Sequence, residues 1–250
     1  MTTIAWDVGG YAFAPGVFQY SAGVQALPGF RIERARFARV VPLADGFDRI
    51  AAMLRGIGRP LTAFCACELR SPGQFSEAGF RAFNEAYVTT LRDWGLLAAG
   101  ANPVARSNVC PEIDPPAEPG FHAFCYTVPD AEAPPSFVVA GSGEVLEGKT
   151  TYHEHIVAPG DTSAAGMGAK VRYVAGEMER RMRRLGADWT TVTATQVYTV
   201  FDFHPVVAEA LVRRGAAAHG LTWHFARPPI VGLDFEMDCR RVAMERVIGA

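Results

Sequence analysis

The sequence predicts a mixed α/β protein made of two similar halves, each a mixed sheet with two helices on one face. Three observations carry that expectation. Helical periodicity alternates with short runs rich in β-branched, aromatic and small apolar residues. The order of these elements repeats along the chain. Apolar residues make up 49% of the 250 and charged residues 20%, enough for a core in one large domain or two small ones.

The first half begins with a strand over Arg31–Val41. Phe47, Ile50, Leu54 and Ile57 recur at helical spacing and predict a helix over 47–57. A strand over Leu61–Leu69 follows, then Phe80, Phe83, Tyr87, Leu91 and Trp94 mark a helix over 76–95. Strands over Val104–Val109 and Phe121–Val128 complete the half. Residues 111–135 hold seven of the 17 prolines, which suits neither a central strand nor a helix interior and reads as linker and boundary.

The second half repeats the order. Phe137–Ser142 is a strand, and Met167, Val171, Val174, Met178, Met182 and Leu185 set a helix over 164–185 with Gly186 as its stop. Thr190–Val200 is a strand; Asp202 and Pro205 signal the start of a helix over 205–215. Strands over Trp223–Ala226 and Leu233–Val242 end the series. Ala105-Arg106 and Ala226-Arg227 sit in matching places of the two halves. The chain therefore divides into domains at 1–130 and 136–250. Strands separated by single helices imply parallel crossovers with helices on one face.

Charge and composition exclude several classes. Lys+Arg is 24 and Asp+Glu 26, a net charge of −2, without the basic surface a nucleic-acid partner needs. Only Lys149 and Lys170 are lysines; the other basic residues are arginines, better suited to a two-pronged grip on a carboxylate. The start MTTIAWDVGG lacks the basic and apolar regions of a signal peptide, and no apolar run approaches ~18 residues. Five cysteines at 65, 67, 110, 125 and 239 read as reduced, packed thiols, with Cys65 and Cys67 on one side of a strand. A cytoplasmic protein with neither a membrane nor a nucleic-acid partner is expected. There is no P-loop, GxGxxG or GxSxG. His153-Glu154-His155 would range two imidazoles along one side of a strand, yet zinc needs a third ligand and none is adjacent, so no metal is expected. Gly166-Met167-Gly168, ahead of the long helix, would place backbone N–H groups where an anion could dock.

The second half resembles the RidA (YjgF/YER057c/UK114) family. The resemblance lies in FVVAGSGE, in the long helix ending MRRLGADWTTV, in the strand ATQVYTVFDF with its following helix, and in Ala-Arg followed by a strand carrying Glu236. The first half is similar through FNEAYVTTL and PVARSNV. The resemblance covers most of residues 31–245. It implies two tandem chorismate-mutase-like domains and a homotrimer with clefts between neighbouring domains. It also implies a cofactor-independent hydrolase or deaminase acting on a small carboxylated enamine, imine or related nitrogen compound. A chorismatase-like lyase or hydrolase, a ring-opening amidohydrolase, or a non-catalytic small-ligand binder are alternatives on the same fold.

The same resemblance nominates residues. Arg227 would hold the substrate carboxylate, with Arg106 as its repeat partner. Glu236 would handle water and protons as the catalytic acid–base. Alternation places Asp234 and Asp238 on the face of Glu236, and three acids together raise one another's pKa. Ser142 and Glu144, in Gly141-Ser142-Gly143-Glu144, match a Ser-Gly-Gln turn beside the ligand, although Glu stands where Gln is common. Tyr198 and Arg70, near the C-terminal ends of equivalent strands, face the crevice where α/β sheets bind ligands. The first half offers no acid matching Glu236, so one complete set per chain is expected.

Overall fold

A computed structural model describes residues 3–97, 100–146 and 151–249. Three short strands, β1 (Ile4–Trp6), β2 (Tyr11–Ala14) and β3 (Gly23–Ala26), open the chain. The first repeat follows as β4 (Phe30–Pro42), α1 (Leu43–Gly56), β5 (Phe64–Arg70), α2 (Glu77–Asp93), β6 (Ala105–Pro111) and β7 (Gly120–Pro129). The second begins with β8 (Phe137–Gly143), α3 (Ala164–Arg184), β9 (Ala194–Tyr198) and α4 (His204–Val207). It ends with β10 (Thr222–His224), β11 (Ala226–Arg227), β12 (Glu236–Arg241) and β13 (Met244–Ile248).

The duplication is a duplication of topology. In the first repeat the strands lie in the order β4-β7-β5-β6, with β7 antiparallel to β4 and β5, and β5 parallel to β6. In the second they lie in the order β8-β12-β9-β10, with β12 antiparallel to β8 and β9, and β9 parallel to β10. The sheets then exchange strands. The β1–β3 meander adds to the edge of β8, whereas β13 runs parallel to β4 and β11 pairs antiparallel with β6. Each sheet thus takes strands from both sides of residues 130–136.

Each sheet packs helices on its outer face. Phe47, Ile50 and Leu54 of α1 and Tyr87 and Leu91 of α2 meet Phe64, Leu69, Phe121 and Phe124 of the first sheet. Met167, Val171, Val174, Met178 and Met182 line the buried side of α3 against Val139, Val197 and Met237 of the second. Burying each such side chain contributes roughly 1.5–3 kcal/mol. The inner faces meet in a layer of Tyr11, Phe13, Val24, Ile32, Ala66, Ala105 and Ala140. Buried polar side chains, among them Arg34, Glu68, Ser107, Gln196 and Asp238, share this region between the sheets.

Several elements differ from expectation for identifiable reasons. Residues 61–63 and 189–191 form 3-10 turns that shorten the strands predicted there; Asp188 caps the second by accepting from the Thr190 N–H at 2.9 Å. The helix expected over 205–215 is one short α segment continued by a π-helical turn over Ala208–Val212. The strand expected at 223–226 divides, because β10 and β11 belong to different sheets. Gly166, Met167 and Gly168 lie inside α3 rather than ahead of it, and Ser163 caps the helix. His153–His155 is a 3-10 turn, so strand alternation does not apply to its imidazoles. A register shift between Phe64 and Ala66 separates the paired thiols: Cys65 joins the inter-sheet layer and Cys67 the helix side, beside the Tyr87 hydroxyl at 3.3 Å. All five cysteines are buried and free. No helix among the described residues is long and apolar enough to cross a membrane.

Candidate active site

The inter-sheet region opens into a pocket of about 450 Å³, its mouth included, that draws on both repeats. From the first come Arg106 and Asn108 of β6 and Phe80 of α2; from the second come Gly141–Gly143 of β8 and Glu236 of β12. Register explains the convergence on the second side. Glu236 pairs with Gly143 of β8 and Met237 with Ser142, so the acid lies beside the glycine turn.

Arg106 is 3% exposed. Its Nη2 donates to Asn84 Oδ1 at 2.6 Å, and its guanidinium lies 4.9–5.8 Å from the ring centres of Tyr20, Phe80, Phe83 and Tyr87. The rings hold the cation through its faces. Asn84 is neutral, so it fixes the group without neutralising it. Arg106 Nε and Nη1 are buried and have no hydrogen-bond partner among the described residues. Asn108 Nδ2 is in the same condition. Buried donors left without partners are rare and costly, and a pocket lined with them is built for an acceptor ligand.

Glu236 is 5% exposed. Burial, with the charge of Asp238 added, holds its pKa well above the carboxylate range; Arg181 and Arg106 oppose the shift. Gly141 is required beside it, since a Cβ there would collide with Glu236 Oε1. Asp238, two residues on, is also raised by burial and by Glu68, yet it is fully engaged. It accepts from Ser107 Oγ at 2.6 Å, Tyr198 OH at 2.8 Å and Gln196 Nε2 at 2.9 Å. Asp234 does not share this face as expected: it precedes β12 and pairs with the buried Lys170 of α3.

The pocket brings together Arg106, Ser142 and Glu236 of the nominated residues. Arg227 lies elsewhere. It sits on β11 in the other sheet from Glu236, and its fork closes on Glu112 at 2.8 and 3.2 Å at the sheet edge. Consecutive order in sequence did not become pairing in space, because the chain crosses between sheets at Phe225. Glu144 is not among the residues lining the pocket. It accepts the Asp234 and Phe235 N–H groups, the latter at 3.0 Å, and so anchors the start of β12; burial lifts its pKa to about 7. Tyr198 is wholly buried on Asp238 and beneath Arg70, whose guanidinium lies 5.4 Å from its ring centre. Asn84 and Asn108 went unnamed in the sequence. Both carried a signal: Asn84 interrupts the apolar stripe of Phe80 and Tyr87, and Asn108 follows Arg106 by two on one strand face.

Comparison with known proteins supplies the family. The chain is 49% identical over 247 residues to a 2-amino-5-chloromuconate deaminase of Comamonas testosteroni, covering 98% of each. Among solved structures, a chorismatase is 12% identical, with 89% of this chain and 77% of that one covered and a TM-score of 0.47. A YjgF/YER057c/UK114 protein of Mycobacterium tuberculosis is 17% identical over 43% of this chain and 79% of its own, with a TM-score of 0.30. The 2-aminomuconate deaminase CnbZ family model matches residues 3–246, and the chain belongs to that family.

Proposed function

We propose that this protein hydrolyses the enamine of a 2-aminomuconate-type acid to the 2-oxo acid and ammonia. The supporting observation is one pocket that holds a buried arginine with unpaired N–H groups and a buried acid that favours its protonated form. Arg106 takes a substrate carboxylate and fixes the plane of the conjugated chain. Glu236, protonated, gives its proton to a carbon of the dienamine, and the C2–N bond becomes a protonated imine. The resulting carboxylate takes a proton from water as the water oxygen bonds to C2. That proton moves from Glu236 to nitrogen, the C2–N bond breaks and ammonia leaves, and the C2 hydroxyl returns its proton to the Glu236 carboxylate as the C2 carbonyl forms. One water is consumed and Glu236 ends protonated as it began. The chemistry asks for no cofactor.

The test is ammonia release from 2-aminomuconate by the purified chain, with the dienamine absorbance lost at the same rate; absence of both refutes the reading. The assembly is read as a homotrimer and its location as cytoplasmic. Exposed Trp223 and Phe225 at 44% and Val231 at 59%, beside the edges of β10 and β11, support an oligomer. Five free cysteines support a reducing compartment. Light scattering at micromolar concentration distinguishes trimer from monomer.

A further inference from the structure

We infer that Asn108 is a specificity residue that recognises the second carboxylate of a dicarboxylate substrate, and that Ser71 is the positioning residue that aims it. The inference rests on the enamine-hydrolase reading above. Asn108 is 3% exposed and lines the pocket. Ser71 Oγ, itself fully buried, donates to Asn108 Oδ1 at 2.9 Å. That bond commits the amide oxygen and turns the Nδ2 donor away from Ser71. Ser71 is in turn tied to the same strand, its N–H donating to the Val109 carbonyl at 2.9 Å. The amide cannot rotate without breaking the Ser71 bond, yet its Nδ2 is buried with no partner. A donor held in one orientation and left unpaired in a pocket discriminates strongly, because a ligand lacking the matching acceptor leaves it unpaired.

The geometry points to the far end of the ligand. Arg106 and Asn108 stand two residues apart on one face of β6, which spaces them roughly 6.6 Å along the strand. A conjugated six-carbon acid laid along β6 with one carboxylate at Arg106 extends its other end toward Asn108. Arg106 is the only cation lining the pocket among the described residues, so the second carboxylate meets a neutral donor. The amide also discriminates against any substituent there that only donates.

The probes are two inert acids of equal chain length, muconate (hexa-2,4-dienedioate) and sorbate (hexa-2,4-dienoate), used as competitive inhibitors of ammonia release. Wild-type protein should prefer muconate. Asn108→Ala should weaken muconate roughly ten-fold or more, as expected for one lost bond to a charged group, and leave sorbate within about two-fold. Asn108→Asp should weaken muconate further by placing like charges together. Ser71→Ala, which keeps the amide but frees it to turn, should lose part of the preference in the same direction. Equal losses for both probes, or an unchanged preference in Asn108→Ala and Asn108→Asp, would overturn the inference. Titration of muconate and sorbate followed by tryptophan fluorescence gives the same ratio without turnover. Lack of ammonia release in wild type would instead strike the proposed reaction.

Discussion

Replacing each of two arginines by lysine separates the pocket from the sheet edge. In Arg106→Lys the charge survives but the planar fork does not. The fork makes the 2.6 Å bond to Asn84 while its Nε and Nη1 groups have no partner among the described residues, and four aromatic rings within 5.8 Å grip its flat faces. An ammonium has neither the faces nor the divided donors to do both. Loss of one charge-assisted bond costs about 1.5–3 kcal/mol, which corresponds to roughly a 10- to 150-fold rise in KM. Arg227→Lys alters a pair whose side chains are 32% and 40% exposed and which lies outside the pocket. Exposed pairs contribute about 0–1 kcal/mol to stability, and KM should move less than about two-fold. Steady-state ammonia release gives both values, with thermal melts confirming that each variant is folded. Equal KM effects in the two variants, or no effect in Arg106→Lys, would refute the assignment of the carboxylate to Arg106.

Glu236→Gln keeps shape and removes the proton, so kcat should fall by about 10²–10⁴ with muconate affinity within a few-fold, as read by kinetics and by inhibitor titration. Because Glu236 must begin protonated and its pKa is raised, kcat/KM should decline as pH climbs through that raised value, well above 4.5, and a pH–rate profile displays the limb. Burial depresses His122 to about 3 and His224 to about 4, so both stay neutral when folded while the unfolded chain takes protons below about 6.5. Stability should therefore fall as pH drops from 6.5 toward 3, and His122→Asn should flatten the melt-versus-pH slope over that window. Calorimetry should give one muconate per chain.

The sequence made the repeat legible because topology follows from element order, and the order of strand, helix, strand, helix, strand, strand survives in both halves. Glu236 and Arg106, proposed from their types and places in the sequence, both line the pocket. What misled was Ala226-Arg227. Its likeness to Ala105-Arg106 is local, and nothing in the sequence marks the change of sheet that Phe225 carries out. The opening strands β1–β3 and the closing strand β13 were hidden for a related reason. Each is three to five residues long, and β3 and β13 find partners in the other repeat while β1 and β2 add to β3, so no local pattern announces them. Asn84 and Asn108 are polar residues whose purpose depends on neighbours distant in sequence, which periodicity alone cannot reveal.

The registers also support the proposal of a single complete set in the duplicated fold. Arg70 ends β5, pairing with Val109 of β6 and Gly120 of β7; Tyr198 ends β9, pairing with His224 of β10 and Glu236 of β12. Superposing Arg70 on Tyr198 sets Leu69 on Val197 and Phe121 on Met237, and all four face their helices, so the two faces agree. The same superposition sets Gly120 where the second repeat has Glu236, and Leu221 where the first has Arg106. The mirrored position would thus have neither the cation to hold a carboxylate nor the acid to move a proton. The arginine strand thus lies in one repeat and the acid strand in the other. The exchange of β1–β3 and β13 ties the two sheets together, so that the halves of the site cannot separate without unpairing strands. A joined chain can keep one working cleft from two incomplete halves in a way that two identical domains, each bound to carry both groups, cannot.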